Sequence, residues 1–284
     1  MRVAPRAIKA LGQHFLSDPN ILRRIVDALE PSAEDVVLEI GPGKGSLTEH
    51  LCSRGLRVIA IEKDRRLADE LGRRNAERGT DRLTVVLGDA LEVDWHALAV
   101  PSSAFRVPRF KVVGNIPYNI TSPLIDKALT PPLPERVVFL VQAEVADRLA
   151  AQPGSKQYGA LTVGVQALCQ VERLFTVKAG AFTPRPKVDS AVVRLKPRQP
   201  PLVEGDRVVA LRRFVTACFT RRRKQLGTGL RAITGRTAAE VAALLAPLGL
   251  DPELRPERLT PQQFVRLELA VSQLGGYLRG SGRL

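Results

Sequence analysis

The chain has 284 residues, 43 of them Lys or Arg against 29 Asp or Glu, giving a formal net charge of +14. Hydrophobic residues make up 44% and charged residues 25%, the usage of a globular protein, and no run reaches the roughly 18 uninterrupted apolar residues of a membrane span. Disordered, low-complexity and membrane-spanning classes are therefore excluded, export is not expected from an N-terminus without an apolar signal stretch, and three scattered cysteines (Cys52, Cys169, Cys218) without CxxC spacing predict neither a disulfide framework nor a metal cluster.

Apolar runs of strand length alternate with amphipathic stretches. Asp18 and Pro19 open a helix over 18–29 whose Ile21, Leu22, Ile25, Val26 and Leu29 share one face. Strands are predicted at 36–40, 57–62, 83–88, 110–114 and 136–141, with helices at 46–55 and 65–78 between the first three. Helices follow at 121–129, 142–151 and 158–168, and 170–177 with 189–195 read as a closing pair of strands. The sum is about seven strands in a doubly wound α/β sheet, predicted to be parallel. Residues 196–201 (KPRQPP) hold three prolines and read as a linker, beyond which helices are predicted at 206–220, 237–247 and 261–274. The predicted domains are thus 1–198 and a smaller, all-helical 205–284. Residues 205–284 carry 14 basic and 6 acidic side chains, whereas 1–204 carry 29 and 23. A surplus of arginine also arises from genome composition, but its concentration in the helical tail favours a polyanionic partner.

The first strand runs directly into Glu39-Ile40-Gly41-Pro42-Gly43-Lys44-Gly45. Glycines permit a tight turn and close approach of a ligand, and the next helix offers its N-terminal N–H groups. The Gly-x4-Gly-Lys-Ser/Thr spacing of a phosphate loop is absent, which removes the ATPase and GTPase classes. Alone the turn is weak and also fits a loop with no ligand. Glu62 closes the second strand, where a carboxylate can accept ribose hydroxyls, and Asp89 follows the third at the same sheet edge. Together they indicate an adenosine-type ligand, and a dinucleotide stays open at this point.

Gly114-Asn115-Ile116-Pro117-Tyr118-Asn119 follows the fourth strand. This segment resembles the signature of S-adenosylmethionine-dependent methyltransferases that act on exocyclic amines of nucleobases. Such an amine has its lone pair delocalised into the ring and is a poor nucleophile. The Asn115 side-chain oxygen and the Ile116 carbonyl can accept its two N–H protons, favouring a pyramidal nitrogen. Pro117 rigidifies the turn, and Tyr118 offers a ring on which an extruded base stacks.

With Leu11-Gly12-Gln13-His14-Phe15-Leu16, Gln142–Leu149, Ser155–Gly159 and Ala181–Val192 added, the chain resembles, over nearly its whole length, the bacterial small-subunit ribosomal RNA adenine N6-dimethyltransferase family. The resemblance implies a Rossmann-like methyltransferase sheet and S-adenosylmethionine as cofactor. It also implies cofactor contacts from His14, Leu16, Gly41, Gly43, Glu62, Asp89 and Asn115, with no metal. It implies dimethylation of two adjacent adenosines near the 3′ end of 16S ribosomal RNA, by a cytoplasmic monomer whose partner is the small ribosomal subunit. Large-subunit ribosomal RNA, DNA adenine and a non-catalytic assembly role are the alternatives. Phe182, flanked by Pro184 and Pro186, is expected to be exposed and to face Tyr118 across the target base. Arg221, Arg222, Arg223 and Lys224 are expected to contact RNA phosphates. Relatives often have Asn and Ser in the turn expected to follow, where this chain has Gly227-Thr228-Gly229.

Overall fold

The structure is a computed structural model that describes residues 13–99 and 110–274. Leu11 and Gly12 of the N-terminal motif, and residues 275–284 of the expected docking domain, lie outside them. Two compact units emerge, one of Met1–Ala146 with Val171–Pro197, the other of Asp147–Gln170 with Arg198–Leu284. The segment Asp147–Gln170, expected within the first domain, thus groups with the helical tail.

In the first unit, β1 (Phe15–Leu16) precedes α1 (Pro19–Ala28), whose start is capped by the Asp18 carboxylate accepting from the Asn20 and Ile21 N–H groups. Then follow β2 (Val36–Ile40), α2 (Ser46–Ser53), β3 (Arg57–Glu62), α3 (Arg65–Arg78), β4 (Leu83–Leu87) and the short α4 (Trp95–Ala99). The chain continues with β5 (Phe110–Asn115), α5 (Thr121–Ala128), β6 (Arg136–Gln142), α6 (Ala143–Leu149), α7 (Ala160–Gln166), β7 (Cys169–Val177), β8 (Phe182–Thr183) and β9 (Ser190–Pro197). The seven-stranded sheet has the order β4-β3-β2-β5-β6-β9-β7. β2 pairs in parallel with both β3 and β5, so the strand order reverses there and the crevice opens at the carboxyl ends of β2 and β5. Five strands are parallel as predicted, but β9 runs antiparallel to β6. A parallel partner needs a helical crossover, and the segment between β7 and β9 holds no α-helix.

Both faces of the central strands are covered, which is why β2 is apolar at every position but Glu39, all five of its residues being buried. At the sheet edge away from the crevice, Lys111 Nζ donates to Asp35 Oδ2 at 2.6 Å and to the Glu30 carbonyl at 2.7 Å. This buried ion pair is satisfied by hydrogen bonding, the condition under which such a pair is tolerated.

The second unit packs α8 (Arg207–Thr220) against α7 and α11 (Pro261–Gln273), with α9 (Leu226–Thr234) and α10 (Ala238–Leu245) completing it. Phe214, Phe264, Leu211 and Leu267 are buried there. Two sequence expectations change. The expected linker begins later, because β9 extends to Pro197, and the following residues are fixed rather than free: Arg198 and Leu202 N–H groups donate to the Leu168 and Ala167 carbonyls at 2.8 and 3.0 Å. And Gly227-Thr228-Gly229 is not a turn but lies inside α9. Glycine lowers helix propensity by about 1 kcal/mol, which conceals the helix in the sequence. Its use here is steric: a Cβ on Gly227 would lie 3.0 Å from Pro252 Cβ, while the Gly227 N–H donates to the Pro252 carbonyl at 2.9 Å.

Candidate active site

The carboxyl ends of β2, β3 and β5 and the loop after β4 surround a cavity of about 240 Å³. Its floor is the turn after β2, where Gly41, Gly43 and Gly45 have φ of +65°, +56° and +81°. These left-handed conformations, and Phe15 Cε1 lying 2.9 Å from where a Gly43 Cβ would sit, explain the glycines.

Glu62 ends β3 and is 5% exposed. Its Oε2 accepts from the Gly43 N–H and its Oε1 from the Asp64 N–H, both at 2.9 Å, so one carboxylate pins the glycine turn to the start of α3. Each oxygen keeps a further lone pair for a hydroxyl donor. Burial raises the Glu62 pKa against the lowering effect of those two N–H donors. Asp89 lies beyond β4 with Oδ1 accepting from the Leu91 N–H at 2.9 Å and Oδ2 from Lys63 Nζ at 2.6 Å. The Lys63 ammonium holds the Asp89 carboxyl below the usual range, so it stays ionised at the cavity edge.

Glu39 was not among the residues singled out from the sequence, yet it lines the same cavity while only 1% exposed. Its Oε2 has no hydrogen-bond partner among the described residues. An acidic residue in the middle of the buried run β2 was the available signal. Burial pushes its carboxyl from 4.5 up to about 8, and the Glu62 charge adds to the rise. Between those two pH values the folded chain keeps a proton that the unfolded chain has released, so the fold loses stability as pH rises from about 4.5 to about 8. Glu39→Gln removes this dependence. In the cofactor-free chain its melting midpoint is expected to gain on the wild type steadily across that window, and a constant difference would refute the buried-acid assignment.

Asn115 closes β5 and donates from Nδ2 to the His14 carbonyl at 2.7 Å. Only the amide nitrogen can donate to a carbonyl, so this bond fixes the side-chain orientation and directs Oδ1 elsewhere as an acceptor. The Ile116 side chain is buried at 1% exposure and its N–H donates to the Leu140 carbonyl at 3.0 Å, anchoring the turn. Pro117 leads into a single 3-10 turn that carries Tyr118, whose hydroxyl shares a 2.8 Å hydrogen bond with Ser190 Oγ. The His14 ring stacks on Tyr118 with centroids 5.6 Å apart and planes at 28°, and His14 Nδ1 donates to the Pro184 carbonyl at 2.7 Å.

Of the site residues expected from the sequence, His14, Leu16, Gly41, Gly43, Glu62, Asp89, Asn115, Ile116, Pro117 and Tyr118 all line this cavity. Phe182 does not, and the expectation of an exposed ring is corrected. It is 4% exposed and belongs to the core cluster with Leu22, Ile25 and Leu140, because β8 pairs antiparallel with β1 and matches Phe182 to Leu16. The ring stacked on Tyr118 is that of His14. Arg222 is half-buried and its guanidinium donates to the Ser155 and Lys156 carbonyls, whereas Arg221, Arg223 and Lys224 are exposed. No group of His, Cys, Asp and Glu suited to a metal ion occurs among the described residues, and no described helix is long and apolar enough to cross a membrane.

The family described as ribosomal RNA adenine dimethylase matches residues 5–271. A relative from Nitratidesulfovibrio vulgaris, named ribosomal RNA small subunit methyltransferase A, is 44% identical over 94% of this chain and 97% of its own length. One of the same name from Nitrosococcus oceani is 44% identical over 92% and 95%. Among solved structures, a dimethyladenosine transferase from Plasmodium falciparum aligns with a TM-score of 0.79 at 29% identity, covering 93% of this chain and 99% of that one. The 23S rRNA methyltransferase ErmE aligns at 0.70 and 32%, covering 91% and 100%.

Proposed function

The chain belongs to the ribosomal RNA adenine dimethylase family, and from that premise we propose that it dimethylates N6 of two adjacent adenosines near the 3′ end of 16S ribosomal RNA, in the cytoplasm, during assembly of the small subunit. The observation that carries this reading is the tethered Asn115 amide, whose Nδ2 is committed to the His14 carbonyl and whose Oδ1 is left to accept from an amine beside Tyr118.

The cofactor is S-adenosylmethionine, which supplies an electrophilic methyl group on a sulfonium and leaves as a neutral thioether. The residues present fit it. Glu62 offers free lone pairs to ribose hydroxyls, Asp89 is an ionised acceptor for an adenine amine, and Glu39, whose buried Oε2 has no partner among the described residues, lines the same cavity. The protein's own contribution is positional. The Asn115 and Ile116 oxygens draw the two N–H bonds of the target amine toward themselves, which frees its lone pair from the ring. Tyr118, fixed through its hydroxyl to Ser190, holds the extruded base by its face, a contact worth about 1–3 kcal/mol. As the new N–C bond forms, the amine nitrogen sheds one proton to solvent water; a second round releases the other the same way.

A large-subunit substrate is the second reading, supported by the 32% identity to ErmE. The 44% identity to proteins named for the small subunit supports the first. A purely binding role has no use for an oriented amine acceptor. Purified chain, labelled S-adenosylmethionine and, separately, undermethylated small subunits, large subunits and DNA decide among them. Label is expected in the small-subunit RNA, and label confined to large subunits or DNA would overturn the assignment.

A further inference from the structure

Two lysines line the cavity beside the carboxyl groups of Glu39, Glu62 and Asp89. Lys63 is committed, its Nζ donating to Asp89 Oδ2 at 2.6 Å. Lys44 is not. It is half-buried, forms no ion pair among the described residues, and holds its Nζ 4.9 Å from the centroid of the Phe15 ring. A cation over an aromatic face is attracted by the ring's negative quadrupole. The contact places the ammonium on the wall where the Phe15 ring lies against Gly43.

The backbone that carries Lys44 is held from both sides. The Gly45 N–H donates to the Pro42 carbonyl at 2.8 Å, and Arg74 Nη2 donates to the Lys44 carbonyl at 2.6 Å. Arg74 is itself paired with Glu49 at 3.3 Å and Glu70 at 3.7 Å, so its charge is met within the fold. The Phe15 ring is steadied in turn by the β1–β8 pairing, which sets Phe15 opposite Thr183. A cation standing on a fixed turn and a fixed ring loses little freedom when an anion reaches it.

The cofactor brings such an anion. Its amino-acid arm carries a carboxylate and an ammonium, whereas its nucleoside part carries neither. With the ribose at Glu62, the adenine amine at Asp89 and the methyl group directed at the amine beside Asn115, the arm is left with the remaining wall, where Phe15, Gly43, Lys44 and Ser46 lie. Three carboxyl groups suit the cofactor's cations, but a carboxylate entering among them needs a positive partner of its own. We propose that Lys44, seated on Phe15, binds the carboxylate of the amino-acid arm and so sets the preference of this chain for the whole cofactor over its nucleoside part. The proposal rests on the placement of the nucleoside between Glu62 and Asp89 given above.

The test is titration calorimetry on the full chain with two ligands: S-adenosylhomocysteine, the thioether product, which keeps the arm, and 5′-methylthioadenosine, which lacks it. Lys44→Met, whose unbranched side chain still covers Phe15, is expected to weaken S-adenosylhomocysteine about 10-fold, the scale of a hydrogen bond to a charged group. Binding of 5′-methylthioadenosine is expected to stay unchanged, which also shows that the variant is folded. Lys44→Arg keeps the cation and is expected to recover most of the loss, and added salt to shrink the difference through screening. The sign identifies the group. An ammonium beside Lys44 would be repelled by it, so tighter binding in Lys44→Met would overturn the proposal. Equal weakening of both ligands would make Lys44 a support of the glycine turn, and no change in either would make it a solvated lysine; each overturns the proposal. Glu62→Ala tests the underlying placement separately, because it is expected to weaken both ligands alike. If it does so while Lys44→Met is without effect, the carboxylate contact falls and the placement stands. If it spares both ligands while Lys44→Met is selective, the placement falls and the carboxylate contact stands on its own measurement.

Discussion

Replacing Asn115 by Ala is expected to lower the rate of methyl transfer about 10²- to 10³-fold, the scale of losing one oriented hydrogen-bonding group from a preorganised site. RNA binding should largely survive, because the surface cations are untouched. The structure adds a second consequence. Asn115 Nδ2 donates to the His14 carbonyl at 2.7 Å in a part-buried position, and losing a hydrogen bond costs about 0.5–1.5 kcal/mol. The variant should therefore melt earlier as well as react slowly. Rate measurements at temperatures well below its midpoint separate the two effects. A parallel loss of RNA affinity and turnover would remove Asn115 from the role of amine acceptor, since that role is felt at the reacting nitrogen and not in docking.

Glu62→Ala is expected to lower S-adenosylmethionine affinity by about 10²-fold or more. The carboxylate accepts from the Gly43 and Asp64 N–H groups at once, and hydrogen bonds to a charged group contribute about 1.5–3 kcal/mol each. Its removal leaves two N–H groups without an acceptor, loosens the glycine turn and deletes the ribose acceptor in one step. Glu62→Gln, which keeps one acceptor oxygen, should fall between the two. Titration calorimetry with the cofactor reads this directly. An affinity unchanged in Glu62→Ala would show that the ribose lies elsewhere.

Much of this site is legible in the sequence because α/β sheets place function at predictable points. β2 and β3 coincide with their predicted ranges, and Glu62 and Asn115 fall at strand ends by simple reading of the apolar runs. What stays hidden depends on contacts between distant segments. The two-residue pairing of β1 with β8 is too short to carry a pattern, yet it sets Phe182 opposite Leu16, next to the His14 that stacks on Tyr118. α9 is masked by two glycines, of which Gly227 is packed against Pro252. Arg222 looks like its basic neighbours until its carbonyl partners, 66 and 67 residues away, are seen. Glu39 sits in an apolar run and shows its importance only through burial beside Glu62. The antiparallel β9 follows from a connection without a helix, a feature of topology rather than of composition.

The excess of positive charge is divided in the same way. In α3 arginines are neutralised locally, whereas Arg221, Arg223 and Lys224 at the end of α8 are exposed and form no ion pair among the described residues. Net charge alone does not distinguish these uses; the placement of carboxylates does.

The most direct measurement is nucleoside analysis of small-subunit ribosomal RNA after reaction with the purified chain and S-adenosylmethionine, with the modified positions mapped. The expected result is N6,N6-dimethyladenosine at two adjacent positions near the 3′ end, absent when Asn115 is replaced. Monomethyladenosine as the final product, or modification at any other base, would contradict it.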